Sequence, residues 1–223
     1  MAEVSNGTPS RSLVVGIAGG SASGKSTLAT ALTSLLEGGA PPLRVQTILT
    51  DTYFDGHAPD APVVRLPGGE EHFDCNSPTS VNNARLTADL DRLTRGPDAP
   101  DVLLVEGLMV LHQPEIRRRL DLRLYVELEA DLRALRRLVR NLGPDSPVDL
   151  DKARFIQDYY CASAHVGHKA YVEPSRIWAD LILRGDGDFD RLAPMVAAVV
   201  RERLPVRALP EPEAVRSDAM RRS

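Results

Sequence analysis

The segment LVVGIAGGSASGKST, residues 13–27, sets the architecture of the whole chain. Its first six residues, Leu13–Ala18, are apolar and predict a buried strand. Residues 19–26 then fit the pattern G-x-x-x-x-G-K-[ST], and residues 26–36 continue with leucines at helical spacing. A strand, a glycine-rich turn and a helix in this order predict a loop whose backbone N–H groups and helix N-terminus hold phosphates.

Phosphate binding accounts for the residue types of this phosphate loop (residues 19–26). The glycines let the backbone wrap around an anion, Lys25 reaches the β- and γ-phosphates, and the hydroxyl of Ser26 ligates Mg²⁺. We therefore predict a nucleoside triphosphate, ATP or GTP, and Mg²⁺ as cofactors. The predicted cofactor-binding residues are consecutive: Gly19, Gly20, Ser21, Ala22, Ser23, Gly24, Lys25, Ser26 and Thr27.

Beyond the loop, short apolar runs alternate with amphipathic segments. This alternation predicts an α/β fold, with a doubly wound, mainly parallel five-stranded sheet flanked by helices. The four further strands are predicted at residues 44–50, 102–105, 122–126 and 181–183. The further helices are predicted at residues 80–94, 129–140, 150–165 and 190–203, and residues 51–79 form a long polar connection.

Composition excludes several classes of function. A net charge of −4 argues against a protein that coats nucleic acid or an anionic membrane, so neither is predicted as a partner. The apolar run at residues 13–18 is far shorter than the ~20 residues of a membrane span. Two cysteines, Cys75 and Cys161, do not build a disulfide framework, and they favour a reducing cytoplasm.

Two acidic residues follow predicted strands directly: Asp51 and Glu106. In open α/β sheets the ligand lies beyond the carboxyl ends of the strands. Asp51 is therefore predicted as the base that orients and deprotonates a hydroxyl, and Glu106 as a group on the metal side. The chain has neither the N-K-x-D of a regulatory GTPase nor the L-S-G-G-Q of a transport ATPase, which leaves a small-molecule kinase as the leading class.

These residues resemble the uridine kinase and phosphoribulokinase family over about residues 13–185. The resemblance rests on GIAGGSASGKST, on TDTYF at residues 50–54, on HFD at 72–74, on VEGL at 105–108 and on HKAYVEPSRIWADLIL at 168–183. It implies that Asp51 is the catalytic aspartate, that Asp74 binds a ribose, and that His168 belongs to the substrate site. It also implies that Arg137 and Arg140 are catalytic arginines of a lid. Lys25 of the phosphate loop is the further predicted catalytic residue. The resemblance also implies assembly as a homo-oligomer.

Other residues allow two interpretations. Tyr53, Phe54 and Phe73 flank the two aspartates, and they either stack on a substrate ring or pack in the protein; Tyr53 and Phe73 are predicted as substrate residues. Four arginines at helical spacing form either a lid that stabilises phosphoryl charge or a solvated basic face. These arginines are Arg133, Arg136, Arg137 and Arg140.

Three departures from the family put pyrimidine specificity in question. The segment that reads the pyrimidine is missing, because residues 93–101 run directly into a strand. The family's F-D-H-P-D-A-F-D becomes FDCNSPTS at residues 73–80, and GPDSP at 143–147 replaces the R-G-R of the lid. The predicted organisation is a flexible arm at 1–12, a kinase domain at 13–204 with a lid at about 137–154, and a flexible tail at 205–223.

The predicted function is an ATP- and Mg²⁺-dependent kinase that phosphorylates a hydroxyl of a small metabolite. The 5′-hydroxyl of a nucleoside is the leading acceptor. One alternative keeps the kinase but changes the acceptor to nicotinamide riboside, a sugar phosphate or a pantothenate-like alcohol. A second alternative is a nucleotide-binding regulator without catalytic activity.

Overall fold

A computed structural model describes residues 11–143, 147 and 149–204. The predicted tail lies outside these residues, as do all but Arg11 and Ser12 of the predicted arm. The altered lid segment at 143–147 is described only at its two ends, Gly143 and Pro147.

The centre of the fold is a five-stranded, fully parallel sheet with the strand order β2-β5-β1-β6-β7. A separate antiparallel hairpin consists of β3 and β4. The strands are β1 (Leu13–Gly19), β2 (Val45–Leu49), β3 (Val63–Arg65), β4 (Glu71–Phe73), β5 (Val102–Glu106), β6 (Leu122–Glu127) and β7 (Leu181–Arg184). The prediction of a five-stranded parallel sheet is confirmed.

Helices cover both faces of this sheet, as the alternation of its side chains requires. Val15 and Ile17 of β1 pack with α1 and α7 on one face, whereas Val14 and Ala18 pack with α2 on the other. The helices are α1 (Lys25–Glu37), α2 (Asn83–Leu93), α3 (Pro114–Arg117), α4 (Ala130–Leu142), α5 (Leu150–Tyr159), α6 (His165–Gly167) and α7 (Phe189–Glu202). None of the helices in the described part of the chain is both long and apolar enough to cross a lipid bilayer.

The connection after β2 contains structure that the sequence pattern does not predict. A 3₁₀ turn (Thr50–Tyr53) follows β2 directly, and the β3–β4 hairpin lies within the segment expected to be irregular. Each hairpin strand has only three residues, and none of these residues is buried. Because such strands carry no apolar run, hydrophobic periodicity does not reveal them.

The helical region after α5 is continuous but irregular. Two π-helical turns, Tyr160–Ala164 and His168–Val172, flank the short α6, and a 3₁₀ turn (Glu173–Trp178) leads to β7. Isolated π turns inside helices occur frequently at functional sites, because they shift which side chains face a neighbouring segment. Here they bring Ser163 and Gly167 against the segment that follows β4.

Candidate active site

The phosphate loop has the backbone conformation that its sequence predicts. Gly24 lies in the left-handed region at φ 104°, and Ala22 is a non-glycine residue with φ 62°. A Cβ atom on Gly24 would also lie 2.9 Å from the ring of Phe189, so both the dihedral angle and the space require glycine. Helix α1 begins at Lys25 directly after this turn, so its N-terminal N–H groups point at the space above the loop.

Lys25, the first residue of α1, is buried. Its Nζ donates a hydrogen bond to the carbonyl of Gly20 at 3.0 Å. Burial lowers the pKa of Lys25, and the neighbouring carboxylates of Glu106 and Asp51 oppose that shift. These two acids therefore favour the charged ammonium that a phosphate needs.

Ser26 and Glu106 form the pair expected at a magnesium site. The hydroxyl of Ser26 donates to Oε1 of Glu106 at 3.0 Å, and the buried Oε2 has no hydrogen-bond partner in the described part of the chain. Mg²⁺ prefers oxygen ligands and keeps several waters, taking few protein ligands besides substrate phosphates. An orphaned carboxylate oxygen beside a serine hydroxyl fits that requirement. Within residues 11–143, 147 and 149–204, no group of three or more His, Cys, Asp or Glu side chains could hold a metal instead.

The arginines of α4 face the phosphate loop. Nη1 of Arg137 and Nη2 of Arg140 both donate to the hydroxyl of Ser21, at 3.0 and 3.3 Å. Arg136 donates to the carbonyl of Gly185 at 2.9 Å. Arg137 is half-buried, and this burial lowers the pKa of its guanidinium, whereas Arg136 and Arg140 are exposed. All three arginines direct their guanidinium groups toward the phosphate loop or Gly185, which favours the interpretation of a lid.

Arg133 occupies a different position on the same helix. Its side chain is 3% exposed and its Nε donates to the carbonyl of Leu128 at 3.0 Å. A Cβ atom on Gly20 would lie 2.8 Å from the Arg133 side chain. Arg133 therefore packs against the phosphate loop and does not line the cleft described next.

These groups surround one cleft of about 740 Å³ at the carboxyl end of the sheet. Ten predicted site residues line it: Ser21, Ala22, Gly24, Lys25, Ser26, Thr27, Asp51, Glu106, Arg137 and Arg140. We call the part formed by the phosphate loop, Glu106 and the α4 arginines the donor end. The acceptor end is the part formed by Asp51, Phe54, Cys75, Asn76 and Leu108.

Several lining residues were missed from the sequence. These are Gly185, Gly187 and Phe189, which line the cleft after β7; Arg136, one of the four arginines considered for the lid, lines it as well. A Cβ atom on Gly185 would lie 2.0 Å from the carbonyl oxygen of Ser23, so glycine is required for this close approach. The glycines after a strand at the same sheet edge were the available signal.

At the acceptor end, the segment after β4 is held by partly buried hydrogen bonds. Oδ1 of Asp74 accepts from the hydroxyl of Ser163 and from the backbone N–H of Asn76. The Tyr159 hydroxyl donates to the carbonyl of Phe73 at 2.9 Å and accepts from the backbone N–H of Cys75 at 3.0 Å. Asp74 itself does not line the cleft, whereas the next two residues, Cys75 and Asn76, do.

Three other predicted substrate residues lie outside the cleft lining. The prediction for Tyr53 is corrected: its ring is packed in the core and its hydroxyl donates to Asp89 at 2.9 Å, while the adjacent Phe54 lines the cleft. Phe73 contacts Phe54 edge-on, with ring centroids 5.9 Å apart. His168 is half-buried, and its buried Nδ1 has no partner among the described residues.

The chain is similar to known proteins over most of its length. The family model described as "Phosphoribulokinase / Uridine kinase family" matches residues 82–185. A uridine kinase of Chloroflexus aurantiacus is 31% identical over 217 residues, which covers 86% of this chain and 96% of that protein. A uridine kinase of Alkaliphilus metalliredigens is 26% identical, covering 86% of this chain and 99% of that protein.

Two solved structures of similar fold carry titles that name kinases. A putative fructose transport system kinase from Silicibacter sp. TM1040 matches with a TM-score of 0.57 and 17% identity, covering 82% of this chain and 92% of that one. A possible uridine kinase from Bacillus stearothermophilus matches with a TM-score of 0.51 and 18% identity, covering 82% and 91%. At these identities the structures establish the fold alone. The family-model match and the sequence relatives show that this chain belongs to the phosphoribulokinase and uridine kinase family of phosphotransferases, which act on a hydroxyl group.

Proposed function

We propose that this protein transfers the γ-phosphoryl group of Mg²⁺-bound ATP to the 5′-hydroxyl of a nucleoside. One observation carries the proposal: a carboxylate at the end of β2, Asp51, lines the same cleft as the phosphate loop and the arginines of α4. Phosphoryl transfer needs a held triphosphate, a hydroxyl nucleophile and positive charge around the transferred group. The two ends of the cleft supply these three requirements.

In this mechanism each group has one task. Lys25 and the loop N–H groups hold the β- and γ-phosphates, while Ser26 and Glu106 hold Mg²⁺, which neutralises charge on the phosphate oxygens. Asp51 orients the acceptor hydroxyl and accepts its proton as the new O–P bond forms. Arg137 and Arg140 exchange their hydrogen bonds to Ser21 for the oxygens of the transferring phosphoryl group.

The nucleoside is the leading acceptor because of the relatives and because of one aromatic ring. The sequence relatives named above are called uridine kinases. Phe54 lines the acceptor end three residues after Asp51, where a flat ring can stack on a nucleobase. Asp74, two residues before Asn76, supports the segment that faces the sugar, through its bonds to Ser163 and the Asn76 backbone.

A different acceptor is the second candidate, and one observation favours it. Helix α2 ends at Leu93 and β5 begins at Val102, so residues 94–101 hold no additional hairpin. The segment that would read a pyrimidine, as the family resemblance describes it, is therefore missing. Nicotinamide riboside, which shares the ribose but carries another ring, fits this combination of features.

The test is ADP release from Mg²⁺-ATP with a panel of acceptors. The panel contains uridine, cytidine, nicotinamide riboside, pantothenate and ribulose 5-phosphate. The Asp51→Asn variant removes the proton acceptor but keeps the size of the side chain, so its kcat should fall by about 10²- to 10⁴-fold. Its affinity for ATP, measured by calorimetry, should stay within about threefold of wild type, because Asp51 does not hold the phosphates in this mechanism.

The two measurements separate the outcomes. Stimulation by a nucleoside together with an inactive Asp51→Asn variant supports the proposal. Stimulation only by pantothenate or by ribulose 5-phosphate would contradict the nucleoside as acceptor, although the protein would still be a kinase. An Asp51→Asn variant with wild-type turnover would overturn the role of Asp51.

A further inference from the structure

Asn76 is a buried polar residue at the acceptor end that no sequence motif singled out. Its side chain is 4% exposed, yet the residue lines the cleft next to Cys75. Its position is fixed from behind, because a Cβ atom on Gly167 would lie 2.4 Å from the Asn76 carbonyl oxygen. Gly167 of α6 therefore packs directly against this segment.

The hydrogen bonds around Asn76 determine which way its amide points. A carboxylate oxygen only accepts hydrogen bonds, so the short contact between Ser163 and Asp74 must use the single proton of the Ser163 hydroxyl. Ser163 then has only lone pairs left for Asn76, and it accepts from Nδ2 at 2.7 Å. This chain of three side chains forces the amide nitrogen inward.

The amide oxygen of Asn76, Oδ1, is consequently an acceptor that points away from Ser163 and Asp74. Oδ1 of Asn76 has no hydrogen bond to any described residue. Ser163 is 2% exposed, so water does not compete for its hydroxyl and the amide cannot rotate without losing its hydrogen bond to Ser163. A largely buried amide oxygen at a cleft wall, with its orientation fixed, can recognise a hydrogen-bond donor on a ligand.

We propose that Oδ1 of Asn76 selects the acceptor molecule by accepting a hydrogen bond from a hydroxyl of its sugar. This inference rests on the proposed function. Asn76 and Asp51 line the same end of the cleft. When the 5′-hydroxyl is at Asp51, the 2′- and 3′-hydroxyls are the nearest further donors of a nucleoside. Asn76 is thus a specificity-determining residue, and Ser163 and Asp74 are positioning residues that act through it.

The test combines the mutation of Asn76 with nucleosides that each lack one hydroxyl group. We would measure kcat/KM of wild type and of Asn76→Ala with uridine, 2′-deoxyuridine, 3′-deoxyuridine and 3-methyluridine. Wild type should disfavour one of the deoxynucleosides by about 10- to 100-fold, since a desolvated acceptor is left unpaired. The kcat/KM of Asn76→Ala with uridine should fall by a similar factor. The ratio of its kcat/KM values for uridine and for that deoxynucleoside should then be about threefold or less.

Ser163 provides a second route to the same answer. Ser163→Ala removes the group that fixes the amide, so it should reduce the discrimination mainly through KM, whereas Ser163→Thr keeps the hydroxyl and should restore it. Ser34→Ala, at an exposed position of α1, is the matched control and should behave as wild type. These variants keep the test available if Asn76→Ala does not fold.

Failure of the proposed function and failure of this inference give different results. If no nucleoside stimulates ADP release by wild type, the proposed function fails and the inference fails with it. If uridine is phosphorylated but Asn76→Ala and Ser163→Ala discriminate against deoxynucleosides as strongly as wild type, only the inference is overturned. If the discrimination lost concerns 3-methyluridine instead, Asn76 reads the base, which contradicts the assignment to the sugar.

Discussion

The donor and acceptor ends of the cleft are built in different ways. The donor end consists mainly of one continuous loop, residues 19–26, whose backbone holds the phosphates in the proposed mechanism, together with arginines of α4 that face this loop. The acceptor end is assembled from the ends of β2 and β5 and from a segment held by a distant helical region. Backbone recognition depends on a few residue types at fixed spacing, whereas side-chain recognition depends on contacts between residues far apart in sequence.

The largest effect expected at the donor end is that of Lys25→Met. The substitution removes the only lysine that lines the described cleft and leaves the carboxylates of Asp51 and Glu106 unbalanced. We expect kcat/KM to fall by about 10³-fold or more, with ATP binding weakened at the same time. Steady-state kinetics and calorimetry with Mg²⁺-ATP measure both.

The matched control is Lys169→Met, which removes an exposed lysine paired with Glu173. It should leave kcat and KM unchanged. A Lys25→Met enzyme with wild-type kcat/KM would show that the loop does not hold the triphosphate.

This difference between the two ends also explains what the sequence could predict. The phosphate loop and the parallel sheet follow from local patterns, and the pairing of Ser26 with Glu106 follows from the shared sheet edge of a parallel sheet; the structure contains all of them. The bond between Asn76 and Ser163 joins residues 87 positions apart, through a π turn that periodicity does not reveal. No local pattern encodes such a contact.

Tyr53 shows the same limit within one motif. Tyr53 and Phe54 are adjacent aromatic residues after Asp51, and the sequence does not say which of them faces the ligand. The 3₁₀ turn after β2 decides the matter, because it directs Tyr53 into the core and Phe54 to the cleft. Arg133 is a similar case: it lies on the predicted arginine face but packs beneath the loop.

The second prediction tests whether α4 belongs to the donor end. Arg137→Met removes a half-buried charge that is hydrogen-bonded to Ser21. We expect kcat to fall by about 10²-fold with little change in the KM for the nucleoside, because the arginine acts on the transferring phosphoryl group.

Arg154→Met is the control for this prediction, since Arg154 is exposed, pairs with Asp151 and does not line the cleft. It should keep wild-type turnover. A selective rise in the nucleoside KM for Arg137→Met would instead assign Arg137 to the acceptor end.

The third prediction separates the two neighbouring aromatic residues. Phe54→Leu removes a ring from the cleft, so it should raise the KM for the nucleoside by about 3- to 10-fold without changing the melting temperature greatly. Tyr53→Phe removes the hydrogen bond to Asp89 and should lower the free energy of unfolding by about 1 kcal/mol while leaving KM unchanged. Kinetics and thermal melting of both variants show which aromatic residue contacts the nucleoside. An increase in KM confined to Tyr53→Phe would assign that contact to Tyr53 instead of Phe54.

The smallest expected effect concerns His168, a half-buried residue outside the cleft lining. Burial lowers its pKa to about 4, and the charge of Arg133 adds to the shift. An unfolded histidine titrates near 6.5, so between pH 6.5 and 4 the unfolded chain binds more protons at this position than the folded chain does. Histidine 168 therefore reduces stability progressively as the pH falls through that window, and has no such effect above it.

Replacement by an aromatic residue without a titrating group should remove that contribution. We expect His168→Phe and wild type to differ in melting temperature by a constant amount between pH 7 and 8. Between pH 6.5 and 4.5 the wild-type melting temperature should fall more steeply by a few degrees. A constant difference in melting temperature across the whole pH range would contradict this prediction. It would show that His168 titrates in the folded protein as it does in the unfolded chain, and that the Arg133 side of the phosphate loop is open to water.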